Sequence, residues 1–143
     1  MAHFAQLDTN NIVLRVSVVN NSDTGGGDLS QENVGIGYLK GIHGASTNWK
    51  QTSYNRNFRG NYAGIGNTYM TNVATLGVGS TDIFIEQQPY ASWTVGVGTA
   101  TWYPPDNPGL APELTDAEMA AGKQYVWNET NYNSNPSTAW VLT

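Results

Sequence analysis

The chain has 143 residues, the length of a single domain. Six Lys and Arg against eleven Asp and Glu give a net charge of −5, which argues against a nucleic-acid partner because phosphate binding needs clustered positive charge. The absence of Cys excludes disulfides and thiolate metal sites, and no apolar run approaches the roughly 20 residues that span a bilayer, so we expect no membrane partner.

The first third predicts a β-hairpin followed by a loop. Sixteen Gly, eight Tyr and five Trp are typical of a mainly β chain with many turns. Residues 3–7 and 12–19 predict two strands around a turn at 8–11, because the second segment is apolar at every second position. Residues 20–27 are polar and end in three glycines, which predicts a flexible loop. The N-terminal segment has neither the basic nor the apolar part of a signal peptide.

A helix is predicted over about residues 29–43. Asp28 can cap it, and Gln31 stands at the capping-box position. The apolar residues that fall on one face, or beside it, are Val34, Tyr38, Ile42 and Leu39. Gly35 and Gly37 each weaken such a helix by about 1 kcal/mol relative to Ala, so we expect packing rather than propensity to hold it.

The middle of the chain predicts further strands at residues 49–54, 61–69 and 81–86. Residues 70–80 are rich in Gly and Thr and predict a loop or a long hairpin arm. The expected fold is therefore α+β and mostly β, with an antiparallel sheet, one packed helix and C-terminal hairpins rich in Trp.

Two similar units in the last third predict these hairpins. In the first, Tyr90 and Trp93 precede a Gly-rich turn at 96–98, and Trp102 and Tyr103 follow it. In the second, Tyr125 and Trp127 precede a polar turn at 128–136, and Trp140 follows it. A Pro-rich linker at 104–108 and a short helix at 116–121, opened by a Thr-x-x-Glu capping box, lie between them. We expect one domain, 1–143, with a β-rich body at 1–88 and appended aromatic hairpins at 89–143.

The sequence lacks the common motifs of catalytic, cofactor-binding and metal-binding sites. Its Gly-x-Gly pairs complete neither a dinucleotide fingerprint nor a phosphate loop. His3 and His43 lie far apart without an acidic partner nearby, so we expect no metal and no cofactor. Asp82, Glu86 and Glu118 offer carboxylates for a small hydrolase such as a glycosidase, but charge at a helix start already explains Glu118. We expect no catalytic residues and no enzyme.

Aromatic residues are the strongest remaining signal. The candidate interface or glycan contacts are Tyr90, Trp93, Trp102, Tyr103, Trp127 and Trp140. Three interpretations stay open: a hairpin core, an interface between subunits, or rings that stack on the C–H faces of a sugar.

Five segments carry a resemblance to a known family. They are HFAQLD-x-NNIV (3–13), NWKQTSYN (48–55), NYAGIG (61–66), QPYASW (88–93) and Y-x-WNE (125–129). Together and in this order, they resemble small proteins encoded by marine cyanophages and related tailed phages. Residues 70–83 and 103–122 depart from that pattern.

The resemblance implies a non-enzymatic structural protein of the virion, on the capsid surface as a decoration protein or on the tail and its fibres. We expect it to dock on other virion proteins, or on its own copies, through aromatic and apolar patches. The alternative is a carbohydrate-binding, receptor-binding module at a tail-fibre tip, which uses Trp93, Trp102 and Trp127 on a host surface glycan.

Overall fold

The structure, a computed structural model, describes residues 1–73, 77 and 81–143. The strands are β1 (Ala2–Leu7), β2 (Val13–Val19), β3 (Asn48–Thr52), β4 (Thr68–Thr71), β5 (Asp82–Ile85), β6 (Thr94–Val95), β7 (Trp102–Tyr103), β8 (Tyr125–Trp127) and β9 (Trp140–Leu142). The helices are α1 (Asn21–Thr24), α2 (Glu32–His43), α3 (Asp116–Ala120) and α4 (Glu129–Ser134), with 3₁₀ turns at Leu29–Gln31 and Pro136–Thr138. These strands pair antiparallel and the helices are few, which confirms the predicted α+β, mostly β fold.

The chain forms two compact units. The first comprises Met1–Gln87 and Gly96–Thr101, and the second comprises Gln88–Val95 and Trp102–Thr143. The expectation that the whole chain counts as one domain stays a prediction.

A three-stranded sheet in the order β2-β1-β3 is the centre of the first unit. Successive residues of a strand point to opposite faces, and β1 is buried on both. On one face Phe4 packs with Leu39 of α2 and Trp49 of β3. On the other, Leu7 packs with Tyr69 and Phe84 of the β4–β5 hairpin. Burial of each large side chain contributes about 1.5–3 kcal/mol, so β1 is the strand that ties the layers together.

Helix α2 packs through a different surface from its apolar stripe. The buried residues are Gly35 and Leu39, and Ile36 is partly buried against the same cluster. A Cβ added to Gly35 would lie 2.8 Å from Phe4 Cε2, so this glycine lets the helix sit directly on the Phe4 ring. As a result, the apolar residues at a spacing of four, Val34, Tyr38 and Ile42, face outward. Asp28 caps the preceding 3₁₀ turn by accepting from the Ser30 N–H.

Three other segments differ from their predictions. Residues 61–67 are not a strand, because their backbone forms turns that bond to Phe84 and Val13 instead of a ladder. The expected loop at 20–27 contains the one-turn helix α1. The expected polar turn at 128–136 contains α4, which begins where the Asn128 side chain accepts from the Asn131 N–H. The loop expected at 70–80 lies partly outside the described residues.

The second unit consists of the hairpin strands β6–β7 and β8–β9 and the two short helices. Helix α3 has the predicted capping box: Thr115 Oγ1 accepts from the Glu118 N–H, and Glu118 accepts from the Thr115 N–H. It ends at Ala120, one residue before the predicted end.

Candidate functional site

A buried ion network joins α2, β3 and β5 in the first unit. Arg59, 8% exposed, donates from Nε to Asp82 Oδ2 at 2.9 Å and pairs through Nη1 with Glu32. Arg59 Nη1 also donates to the Gln51 backbone oxygen at 3.0 Å, and Glu32 Oε2 accepts from the Gln51 N–H at 2.8 Å. Both backbone groups of Gln51 that point away from β1 therefore bond to this ion pair.

The pKa shifts in this network keep its groups in fixed protonation states, as a structural ion pair requires. Burial raises the pKa of Tyr69 well above its usual value, and the hydrogen bond that its hydroxyl donates to Asp82 raises it further. Burial alone would lower the pKa of Arg59, but the hydrogen bond and the charge of Glu32 outweigh it and raise that pKa. Tyr69 thus stays a neutral donor and Arg59 a cation. Asp82, one of the carboxylates considered for hydrolysis, is held by both.

Four of the six aromatic candidates come together in the second unit. Trp127 is 4% exposed, and its ring centroid lies 5.7 Å from that of Trp93 and 5.2 Å from that of Trp140. Tyr90 lies 5.7 Å from Trp93, and Tyr132, which is not among the candidates, lies 5.2 Å from Trp127. These five residues are called the aromatic cluster. Their mutual packing is what a hairpin core requires, and a sugar could stack on Trp127 only if the cluster opened.

Glu129 fixes the polar side of the aromatic cluster. Its Oε2 accepts from Trp127 Nε1 at 2.8 Å, and its carboxylate accepts from the Ser92 N–H and hydroxyl at 3.0 and 2.8 Å. The hydrogen bond from Trp127 is the main cause that holds the pKa of Glu129 below its usual value, with the two from Ser92 adding to it against some desolvation. The buried Nε1 of Trp93 has no partner among the described residues.

The remaining two candidates, Trp102 and Tyr103, form β7 opposite β6. Trp102 is partly buried and Tyr103 is exposed. The interface and glycan interpretations of these six residues stay predictions.

A second aromatic group lies in the first unit and was not foreseen as a group. His3 stacks on Tyr54 with ring centroids 5.5 Å apart, and His3 Nδ1 and Tyr62 Oη are hydrogen-bonded at 3.0 Å. Partial burial, and to a smaller extent the N-terminal ammonium, hold the pKa of His3 below its usual value, so the imidazole is neutral at pH 7. The three residues come from segments that share the family resemblance, which was the one available signal.

The outward side of α2 is the third notable surface. Val34, Tyr38 and Ile42 are 50%, 42% and 58% exposed, although their spacing is typical of a buried face. Gly37 and Gly41 lie exposed among them, and a Cβ added to either would meet nothing within 4 Å. These five residues are called the outward face.

Neither a metal centre nor a membrane-crossing helix is found in the described part of the chain. In residues 1–73, 77 and 81–143, no three His, Asp or Glu side chains lie close enough to hold a metal ion. Across the same residues, no helix is long and apolar enough to cross a membrane.

Comparison with known proteins gives no relative for this chain. No protein-family model, no curated protein and no solved structure matches it.

Proposed function

We propose that this chain is a non-enzymatic structural or accessory protein of a phage virion, which docks on the capsid or tail through apolar surface. The ordered resemblance of five segments to small phage proteins supports the virion assignment. The observation that carries the docking role is the outward face of α2.

The outward face has the composition of a contact surface. Its five residues are uncharged. Of the charged residues on α2, Glu32 is bonded to Arg59, and Lys40 lines a pocket together with Trp49 of β3. When a partner covers exposed Val, Ile and Tyr on one helix face, their apolar surface is removed from water, which lowers the free energy of the complex. The partner proposed here is an uncharged, apolar surface of a neighbouring virion subunit.

Gly37 and Gly41 support the same conclusion. Each costs the helix about 1 kcal/mol relative to Ala, and the described fold makes no use of the space that their missing side chains leave. Gly35, by contrast, is needed by Phe4. Two unused glycines between exposed apolar side chains let a partner approach the α2 backbone closely.

Copy number in purified particles of the encoding phage tests the assignment. Quantitative mass spectrometry that finds hundreds of copies per particle would place the protein on the capsid. A few to a few tens would place it on the tail or fibres, and absence from the particle would overturn the proposal.

A pair of exposed isoleucines tests the docking surface. Ile42→Asp puts a charge on the outward face, whereas Ile65→Asp puts one on an exposed loop of the same unit. Both variants should keep the wild-type circular dichroism spectrum, because neither side chain is buried. Only Ile42→Asp should lose incorporation into particles, by tenfold or more. Equal incorporation of the two variants would refute the outward face as the docking surface.

A further inference from the structure

An open cavity of about 310 Å³ lies at the ends of β1 and β3 in the first unit. His3 and Thr52 line it from the strands, and the turn that follows β3 closes it. That turn is fixed by Ser53, whose Oγ accepts from the Asn57 N–H at 2.9 Å and whose carbonyl oxygen accepts from the Arg56 N–H at 3.1 Å. This His3 cavity falls within the roughly 300–1,000 Å³ of small-molecule sites.

One wall of the His3 cavity is aromatic. Tyr54 is 66% exposed, stacks on His3 at an interplanar angle of 24°, and meets Tyr62 edge to face at 5.3 Å. The contact with His3 and Tyr62 holds the Tyr54 ring in place without covering it. A held, exposed ring presents a flat apolar surface with little rotamer freedom left to lose on binding.

The lining also includes polar side chains on the turn, beside the N-terminal residue Met1 and the apolar Ala2 and Phe58. Asn55 and Asn57 are exposed on the turn, and their side-chain amides have no hydrogen-bond partner among the described residues. Each amide offers a carbonyl acceptor and two N–H donors. Among the described residues that line the cavity, none is Asp, Glu, Lys or Arg. The side chains of the cavity therefore offer a polar ligand both hydrogen-bond donors and acceptors.

We propose that the His3 cavity binds a saccharide. A pyranose ring has an apolar C–H face and a rim of hydroxyl groups. The C–H face packs on the exposed Tyr54 ring, and the hydroxyl groups bond to the amides of Asn55 and Asn57. This site is separate from the outward face and from the aromatic cluster, so the proposal does not rest on the docking role.

Saturation-transfer NMR on the full chain tests this site. The probes are the methyl glycosides of D-glucose, D-galactose, D-mannose and N-acetyl-D-glucosamine. At least one glycoside should receive saturation, strongest at its ring C–H protons. Tyr54→Ala should weaken the affinity for that glycoside by about tenfold or more, and Asn57→Ala should weaken it severalfold.

Two matched tyrosines serve as controls. Tyr38→Ala removes an exposed ring from the outward face, and Tyr103→Ala removes one from β7. Both should bind the glycoside as the wild type does. No transfer to any glycoside, unchanged affinity in Tyr54→Ala, or loss of binding in Tyr103→Ala alone would each overturn the proposal. Loss of particle incorporation in Ile42→Asp has no bearing on this result, so the two proposals fail separately.

Discussion

Gly35 and Gly37 stand two residues apart on α2 and should respond oppositely to the same substitution. Gly35→Ala places a Cβ against the buried Phe4 ring, and such overpacking costs about 1–3 kcal/mol, more than the roughly 1 kcal/mol of helix propensity gained. Gly37→Ala meets open space and should stabilise the chain by up to about 1 kcal/mol. Urea unfolding followed by circular dichroism measures both. A Gly35→Ala variant as stable as wild type would show that Phe4 can move aside.

Arg59 is the second single residue on which the first unit depends. Arg59→Met removes the cation from the partly buried Glu32 and Asp82, and the cost should approach the roughly 3–5 kcal/mol of breaking a fully buried ion pair from one side. Arg56→Met is the matched control, because Arg56 also has a positive φ but is exposed. Its effect should stay within about 0.5–1 kcal/mol. Thermal or urea unfolding of the two variants gives the comparison, and similar losses would contradict the structural role of the network.

At the scale of elements, the sequence predicted where most strands and helices lie but not which way α2 faces. The 3.6-residue period is satisfied both by Val34, Tyr38 and Ile42 and by Gly35 and Leu39. The choice between the two faces depends on the close fit between Gly35 and Phe4. That fit joins residues 31 positions apart, so no local pattern reveals it. Hydrophobicity alone favours burial of the face with Val34, Tyr38 and Ile42, which the structure leaves exposed.

The connection between β8 and β9 shows another limit of local patterns. Asn, Ser and Thr at 128–136 are typical of a turn, yet Glu129–Ser134 forms α4. The helix is held by its Asn128 cap and by the bonds from Glu129 to Trp127 and Ser92. Ser92 lies 37 residues before Glu129 in the sequence, so the composition of residues 128–136 alone could not predict this helix.

Glu129 makes the second unit sensitive to acid. Because its pKa is lower in the folded chain than in the unfolded one, its contribution to stability is full above the unfolded value of about 4.3. The contribution is lost as the pH falls through the lower, folded pKa. Glu129→Gln should therefore flatten the fall in unfolding midpoint below about pH 4.3. Four of the five Trp lie in this unit, so Trp emission reports it.

Thr130→Gln supplies the control for that acid profile. Thr130 is the exposed neighbour of Glu129 on α4, and its replacement should leave the pH dependence of the midpoint as in wild type. A Glu129→Gln profile parallel to that of Thr130→Gln would show that another group causes the acid sensitivity.

At the scale of the whole molecule, the two units are not continuous in sequence. Residues Gly96–Thr101 belong to the first unit, where Asn61 Nδ2 donates to the Ala100 backbone oxygen at 2.7 Å. A chain that ends at Gln87 loses this contact, whereas one that ends at Thr101 keeps it. The shorter chain should be less stable by about 1 kcal/mol, the typical net contribution of one such hydrogen bond. Calorimetric unfolding of both truncations measures this, and equal midpoints would contradict it.

The sequence indicated one of the two aromatic groups but not the other, and the reason lies in the topology of the whole chain. Tyr90, Trp93, Trp127 and Trp140 recur in two similar hairpin units, so their association was visible as a repeat. His3, Tyr54 and Tyr62 share no repeat and meet only because β3 returns beside β1 with His3 opposite Thr52. Such a meeting follows from topology, which no segment encodes by itself.

The ion pair beside Gln51 has a consequence for how copies of this chain behave when crowded. An open sheet edge offers free N–H and C=O groups on which strands of other molecules can add, one after another. At β3 those groups of Gln51 are occupied by side chains, which cannot propagate a ladder. At Gln51 the edge of the sheet is therefore closed by an ion pair rather than by another strand. If many copies gather at one place, as the proposed function requires, this ion pair hinders strand addition at Gln51.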